Sequence, residues 1–252
     1  MKDRMDPARA QALCATLDLP APGPDLPPFF HHIYFWEAHP PEALGRDGHP
    51  AVGGTIPDMG LPRRMWAGGR LEFPAPLHSA IPAEKTTTIE NTAHKHGRSG
   101  PLGFVTLRHE IRQNGTLCVR EFQDLVYRTD PAPDTPRPVP PPAPDGAEET
   151  RPVQFSPTLL FRYSALTFNG HRIHYDRDYA RDVEGYDGLV VHGPLLAQML
   201  MLMAAEAGPL TRFSFRASAP LMDHEPATLC RAGPRYWVCG PNGRLCMSAE
   251  AG

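Results

Sequence analysis

The sequence predicts an α+β protein in two halves, each an antiparallel sheet set against a helix. Three observations carry that reading: a proline-dense stretch near the middle of the 252 residues, β-rich runs with tight turns on either side of it, and one segment whose apolar residues go almost all the way round a helix. The length is ample for two domains of ordinary size, each able to bury a core.

Of the 31 prolines, the densest group lies in PAPDTPRPVPPPAPDGAEETRP, residues 131–152. With φ fixed at each proline and no apolar face to bury, it reads as a stiff, extended linker. The predicted division is an N-terminal domain at 1–130, the linker at 131–152 and a C-terminal domain at 153–252.

The first half opens with a helix expected over residues 6–17, because Asp6 suits an N-cap and Pro7 the first turn. After a long Pro- and Gly-rich stretch, residues 85–91, 103–113 and 116–128 have the composition of strands. Asn114-Gly115 between the last two marks a hairpin. In the second half, Leu195, Leu196, Met199, Leu200, Met201, Leu202 and Met203 surround a helix expected over 194–205, and a helix apolar on every side must be wrapped by other structure. Candidate strands follow at 212–218, 227–232, 236–239 and, after a Pro241-Asn242-Gly243 turn, 244–249. A sheet curled round a buried helix is the implied geometry.

A formal charge of -3 provides no basic field for nucleic acid. No apolar run reaches the roughly 18 to 20 residues that cross a bilayer, and residues 1–20 carry acids where a signal peptide would be purely apolar. Five scattered cysteines with no CxxC pair suit reduced thiols. The expectation is a cytoplasmic protein acting on a small molecule, with no nucleic-acid or membrane partner.

The densest polar cluster is Thr167-Phe168-Asn169-Gly170-His171-Arg172-Ile173-His174-Tyr175-Asp176, followed by Val191-His192-Gly193-Pro194 at the head of the apolar helix. Free N–H groups at such a helix start, over Gly193, Pro194 and Leu195, point outward and would hold an oxygen that gains negative charge. An ordinary helix start and solvated loop histidines are the plain alternative.

The run RYSALTFNGHRIHYDRDYA with EGYDGLVVHGPLLAQML resembles the signature of MaoC-like enoyl-thioester hydratases and dehydratases, in the subgroup of mesaconyl-CoA and itaconyl-CoA hydratases. LPRRMWAGGRLEF, KHGRSGPLGFVTLRHEI and EFQDLVYR resemble the N-terminal half of the same proteins. The resemblance implies a double hot-dog fold, two antiparallel sheets each wrapped round a central helix, with the N-terminal unit catalytically degenerate. It implies an acyl-CoA hydratase or dehydratase, a hydro-lyase needing no cofactor beyond the coenzyme A of its substrate. It also implies a water-gripping pair spaced five residues apart, which falls on His174 and, where the wider family has aspartate, Asn169. An amide orients water but takes no proton at pH 7, so the acid-base task passes to His174. His171, Asp176 and His192 are supporting candidates.

Arg63, Arg64 and Trp66, expected in a Gly- and Pro-flanked loop, are candidates for an acyl carboxylate or a coenzyme A phosphate. Lys95, His96 and Arg98 read as a turn or as a second anion contact. A straight-chain 3-hydroxyacyl-thioester dehydratase is the alternative within the class, and a homodimer would pair through sheet edges. Outside the class stand a metal-dependent hydrolase using His171, His174, Asp176 and His192, and a non-catalytic thioester-binding protein.

Overall fold

Both halves begin in the same way, with a short strand and a proline-led helix. In the first, β1 (Lys2–Asp3) leads to α1 (Pro7–Leu17), capped by the Asp6 carboxylate accepting from the Ala8 N–H at 2.9 Å. In the second, β6 (Glu149–Val153) leads to α2 (Pro157–Thr167), capped by Ser156 Oγ accepting from the Leu159 N–H at 3.1 Å. Each helix ends on a left-handed residue, Asp18 at φ 55° and Phe168 at φ 52°. The computed structural model describes residues 1–51, 53, 56–97, 100–130 and 139–252.

Each half then adds four strands. The first supplies β2 (Arg63–Glu72), β3 (Ala83–Gly97), β4 (Gly100–Gln113) and β5 (Thr116–Arg128). The second supplies β7 (Arg212–Ala217), β8 (Ala227–Ala232), β9 (Arg235–Cys239) and β10 (Leu245–Ala251). All pair antiparallel in one sheet ordered β1-β3-β4-β5-β2-β7-β10-β9-β8-β6, so each half repeats the other's connectivity outward from the β2–β7 seam. That is the double hot-dog arrangement, with its two sheets fused edge to edge.

The halves part company in their helices. Between α2 and β7 the chain forms α3 (Arg177–Asp182) and α4 (Gly193–Ala207), and α4 buries Leu195, Leu196, Leu200, Met201 and Met203. Between α1 and β2 the described residues form only two 3-10 turns, Phe30–Ile33 and Pro41–Ala43. Of the two central helices that the resemblance implies, the described residues show the C-terminal one. One core spans both halves, drawing Leu13, Phe30 and Ile111 from the first and Leu160, Leu195, Phe213 and Val238 from the second.

Three expectations change. The end of the stretch expected as linker is a sheet strand, since Glu149–Val153 pairs with β8, and before it the Ala143 N–H donates to the Gly243 carbonyl at 2.7 Å. Residues 131–138 of that stretch lie outside the described residues. Arg63, Arg64 and Trp66 sit in β2, not in a loop, because β2 is held on both sides by β5 and β7. Lys95 and His96 belong to β3, paired with Leu102 and Pro101, while Arg98 lies outside the described residues. No helix among the described residues is long and apolar enough to cross a membrane.

Candidate active site

His174 ends a single 3-10 turn, Arg172–His174, and is buried. Its Nδ1 lies 2.7 Å from the Val190 carbonyl oxygen. A carbonyl only accepts, so Nδ1 carries the proton and Nε2 keeps its lone pair free. Val190 is itself fixed, its N–H donating to the Ile173 carbonyl at 3.0 Å, and the Leu189 N–H donates to the Asp223 carboxylate at 3.0 Å. The tautomer and direction of His174 are therefore set by backbone on two sides.

The His192 ring stacks on His174, centroids 3.6 Å apart and planes 20° from parallel. His192 precedes α4, and its carbonyl accepts from the Leu196 N–H at 3.1 Å. Its Nε2 is 2.8 Å from Ser164 Oγ, while its Nδ1 is sealed from solvent without a hydrogen-bond partner. Tyr163, from the same helix as Ser164, meets the His192 ring edge-on at 5.0 Å. His171 stands perpendicular to His174 at 5.4 Å, and His49 packs on His171 at 4.8 Å. Four imidazoles thus form one row from the loop of the first half to the start of α4.

Burial drives their electrostatics. It pulls His174 down to about 3, helped by His171 and opposed by the Val190 carbonyl. It pulls His171 down to about 4, reinforced by the Arg64 and Arg63 guanidiniums. His49 and His192 are held well below the usual imidazole range by burial, then by Arg64 for His49 and by His174 for His192. All four are neutral at pH 7, because burial disfavours the charged form of each.

The remaining sequence candidates divide. At the helix start Gly193 and Leu195 have N–H groups to offer, but Pro194 has none, so the cradle expected over three residues has two donors. Asn169 Oδ1 accepts the His171 N–H at 3.0 Å, which leaves the amide NH2 to donate. Asp176 does not reach the His174 ring. It caps α3 by accepting from the Tyr179 N–H at 3.0 Å and pairs with Arg172 at 2.7 Å, which removes it from the metal-ligand set. Trp66 is packed among Phe29, His32 and Phe215 and donates Nε1–H to the Gly68 carbonyl at 2.9 Å, so its ring is a wall and not an anion contact.

Residues that the sequence did not single out complete the site. The loop carrying Asp47, Gly48 and His49 presses on the loop at 169–174: the Arg172 N–H donates to the Asp47 carbonyl at 2.9 Å, and a Cβ on Gly48, at φ 85°, would stand 2.1 Å from the Gly170 oxygen. Ser164 and Tyr163 lie in α2, a helix not among the expectations, whose one sequence signal is the capped start at Ser156-Pro157. His49 has no local signal, because a tertiary contact puts it there.

A second polar cluster lies in the first half. His31 Nε2 is 2.9 Å from Glu121 Oε2 and His32 Nε2 is 3.1 Å from both carboxylate oxygens, with Glu121 buried. These three are the group among the described residues whose donor atoms lie close enough, within 4.8 Å, to share a metal ion. As they stand the two rings donate to the carboxylate, a hydrogen-bonded set complete in itself.

A double hot-dog fold with a backbone-fixed histidine near the N-terminal N–H groups of its buried helix defines the hot-dog hydratase and dehydratase class. The family model for hydroxyacyl-thioester dehydratase type 2 matches residues 29–223, and the chain belongs to that family. A mesaconyl-C(4)-CoA hydratase of Chloroflexus aurantiacus is 48% identical over 255 residues, 96% of this chain and 90% of that protein. Among solved structures, HtdX of Mycobacterium tuberculosis superposes with a TM-score of 0.71 at 18% identity, covering 99% of this chain and 96% of that one. Another protein of that organism, described as a double hot-dog fold, gives 0.55 at 15% identity, covering 96% and 84%.

Proposed function

We propose that the protein is an acyl-CoA hydratase that adds water reversibly across the double bond of an enoyl thioester, with His174 as general base. The observation that carries this is the His174 Nδ1 contact to the Val190 carbonyl at 2.7 Å, which leaves Nε2 as a free acceptor on a buried ring close to the start of α4. The 48% identity to a mesaconyl-C(4)-CoA hydratase supports a short branched dicarboxylic acyl group over a straight chain.

In this reading the thioester carbonyl lies against the N–H groups of Gly193 and Leu195, which hold its oxygen as it becomes enolate-like. Asn169 orients a water through its amide NH2. His174 Nε2 takes a proton from that water as its oxygen bonds to the β-carbon, and the proton then passes from His174 to the α-carbon. The water ends as a hydroxyl on one carbon and a hydrogen on the other, and dehydration retraces the steps. His171 and His192 hold the ring in place, and no cofactor enters beyond the coenzyme A of the substrate. The first half, 1–130, serves as scaffold and lends the loop at 47–49, while the second, 153–252, carries the chemistry. A cytoplasmic setting suits this substrate. A homodimer would use the open edge of β3, since β1 pairs only with Ala83 and Glu84.

The test is to incubate purified protein with mesaconyl-C(4)-CoA, itaconyl-CoA and crotonyl-CoA separately and follow the enoyl-thioester absorbance. Hydration of at least one supports the reading. Absence of turnover on all three, with the thioester still bound, would move a non-catalytic binding role to the front.

A further inference from the structure

We infer that Arg64 reads a free carboxylate carried on the carbon that receives water, and so selects carboxylated enoyl thioesters over straight-chain ones. This rests on the hydratase reading above and adds the substrate class to it.

Arg63 and Arg64 are neighbours on β2 with opposite fates. Arg63 Nη2 lies 2.6 Å from Glu184 Oε2, both side chains under a tenth exposed, and also reaches the Glu184 carbonyl at 3.4 Å and Tyr186 Oη at 3.5 Å. Its charge is answered within the protein. Arg64 has a side chain 12% exposed, and its ion-pair partner Asp47 stands off at 3.9 Å, beyond hydrogen-bond reach. Asp47 is already engaged, its Oδ1 accepting from the His49 N–H at 3.0 Å. A guanidinium with five donors thus has its one carboxylate partner out of contact and the Tyr127 hydroxyl as its other polar neighbour, which leaves donors over.

The location fits one kind of ligand. Asp47 and His49 share the loop that presses on Gly170, and the ring row runs from His49 to His171 at 4.8 Å and on to His174 at 5.4 Å. Arg64 therefore stands on the His49–His171 side of the base, separated from His174 by those rings, and its charge is felt at both His49 and His171. A carboxylate bonded directly to the β-carbon lies one bond from the atom that the His174-held water attacks and extends away from it, so its reader must lie on the same side as the base, one carboxylate's reach beyond it. The planar fork of arginine suits a carboxylate. A straight-chain thioester puts a methyl group there and leaves the buried guanidinium facing hydrocarbon.

The experiment compares wild type, Arg64→Gln and Arg64→Lys in two arms. For turnover, kcat/KM is measured on mesaconyl-C(4)-CoA and crotonyl-CoA. For binding, titration calorimetry uses succinyl-CoA and butyryl-CoA, which differ only in a carboxylate or a methyl group on the β-carbon. The expected result is that Arg64→Gln lowers kcat/KM on the carboxylated substrate roughly a hundredfold while crotonyl-CoA changes by no more than about threefold, with Arg64→Lys recovering part of the loss. Wild type should bind succinyl-CoA more tightly than butyryl-CoA, and Arg64→Gln should erase the difference. Equal losses on both enoyl substrates in a variant that melts like wild type, or no preference for succinyl-CoA in wild type, overturns the proposal. Failure of the hydratase reading looks different: neither enoyl thioester turns over, and the binding arm still decides whether Arg64 reads a carboxylate.

Discussion

The two halves share a strand order and the same capped first helix, yet each turns its buried histidines to a different end. In the first half, His31 and His32 both face Glu121, and the carboxylate accepts from each ring. In the second, His174 and His192 stack on each other among His171 and His49, with His192 Nδ1 left unmatched and His174 Nε2 holding a free lone pair. A set of polar groups that satisfies itself adds rigidity, whereas a set left incomplete has capacity for a substrate. The same contrast appears in helices, since the second half has the buried α4 with the Gly193 and Leu195 N–H groups at its start, whereas between α1 and β2 the first half shows only short turns among its described residues.

The sharpest way to break this comparison is to remove one histidine from each cluster. His174→Ala should lower hydration by roughly a hundredfold or more, as loss of a general base predicts, with the melting temperature little changed. His31→Ala should leave the rate per folded molecule within a few-fold of wild type. Equal rate losses in the two variants would mean that the open and closed sets differ only in appearance.

Glu121 is next in size. Burial alone would raise its pKa, but the His32 and His31 contacts hold it well below the usual carboxylate range. Glu121→Gln leaves one ring without its acceptor in a site with almost no solvent, and should destabilise the fold by about 1 to 3 kcal/mol. Urea unfolding would measure this. A loss under 1 kcal/mol would show that the cluster does not hold the first half together.

How much of this was legible in the sequence follows from where the determining contacts lie. Asp6-Pro7, Asn114-Gly115 and the apolar run in α4 each fix their own element locally, so α1, the β4–β5 hairpin and α4 were all readable, with Asn114 and Gly115 at φ 49° and 82° as a tight hairpin needs. The residues from Arg63 to Trp66 were misplaced because Gly and Pro flank them, while their strand identity comes from β5 and β7, distant in sequence. His174 and Asn169 were named only through the family resemblance, which carries a pair spaced five residues apart, while the tautomer of His174 depends on Val190 and the packing of His49 on a loop more than a hundred residues away in the chain. Long-range contacts of that sort leave no local mark.

That loop contact yields a smaller prediction. At Gly48 a Cβ would collide with the Gly170 oxygen at 2.1 Å and the φ of 85° disfavours any side chain. Gly48→Ala should push His49 off His171 and loosen the catalytic loop, lowering kcat/KM about tenfold while thermal stability falls only modestly. An unchanged rate would show that the first half contributes no geometry to the site.

The smallest expected effect is on the pH profile, where the prediction is that nothing happens over a range in which an ordinary histidine would titrate. In the folded protein His174 is held down to about 3 and His171 to about 4 by burial. The unfolded chain has both near 6.5. Above pH 6.5 the rings are neutral in both states and carry no pH-dependent term. As pH falls from 6.5 towards 4 and 3, the unfolded chain takes up protons that the native rings refuse, so stability declines over that window. The rate, in contrast, should hold: kcat/KM, which reports the free enzyme, should stay level from pH 8 to about 5 because His174 keeps its lone pair throughout. An acid limb with a midpoint near 6.5 would mean that the base sits in contact with water, and would remove the distinction between a sealed row of imidazoles and a solvated one.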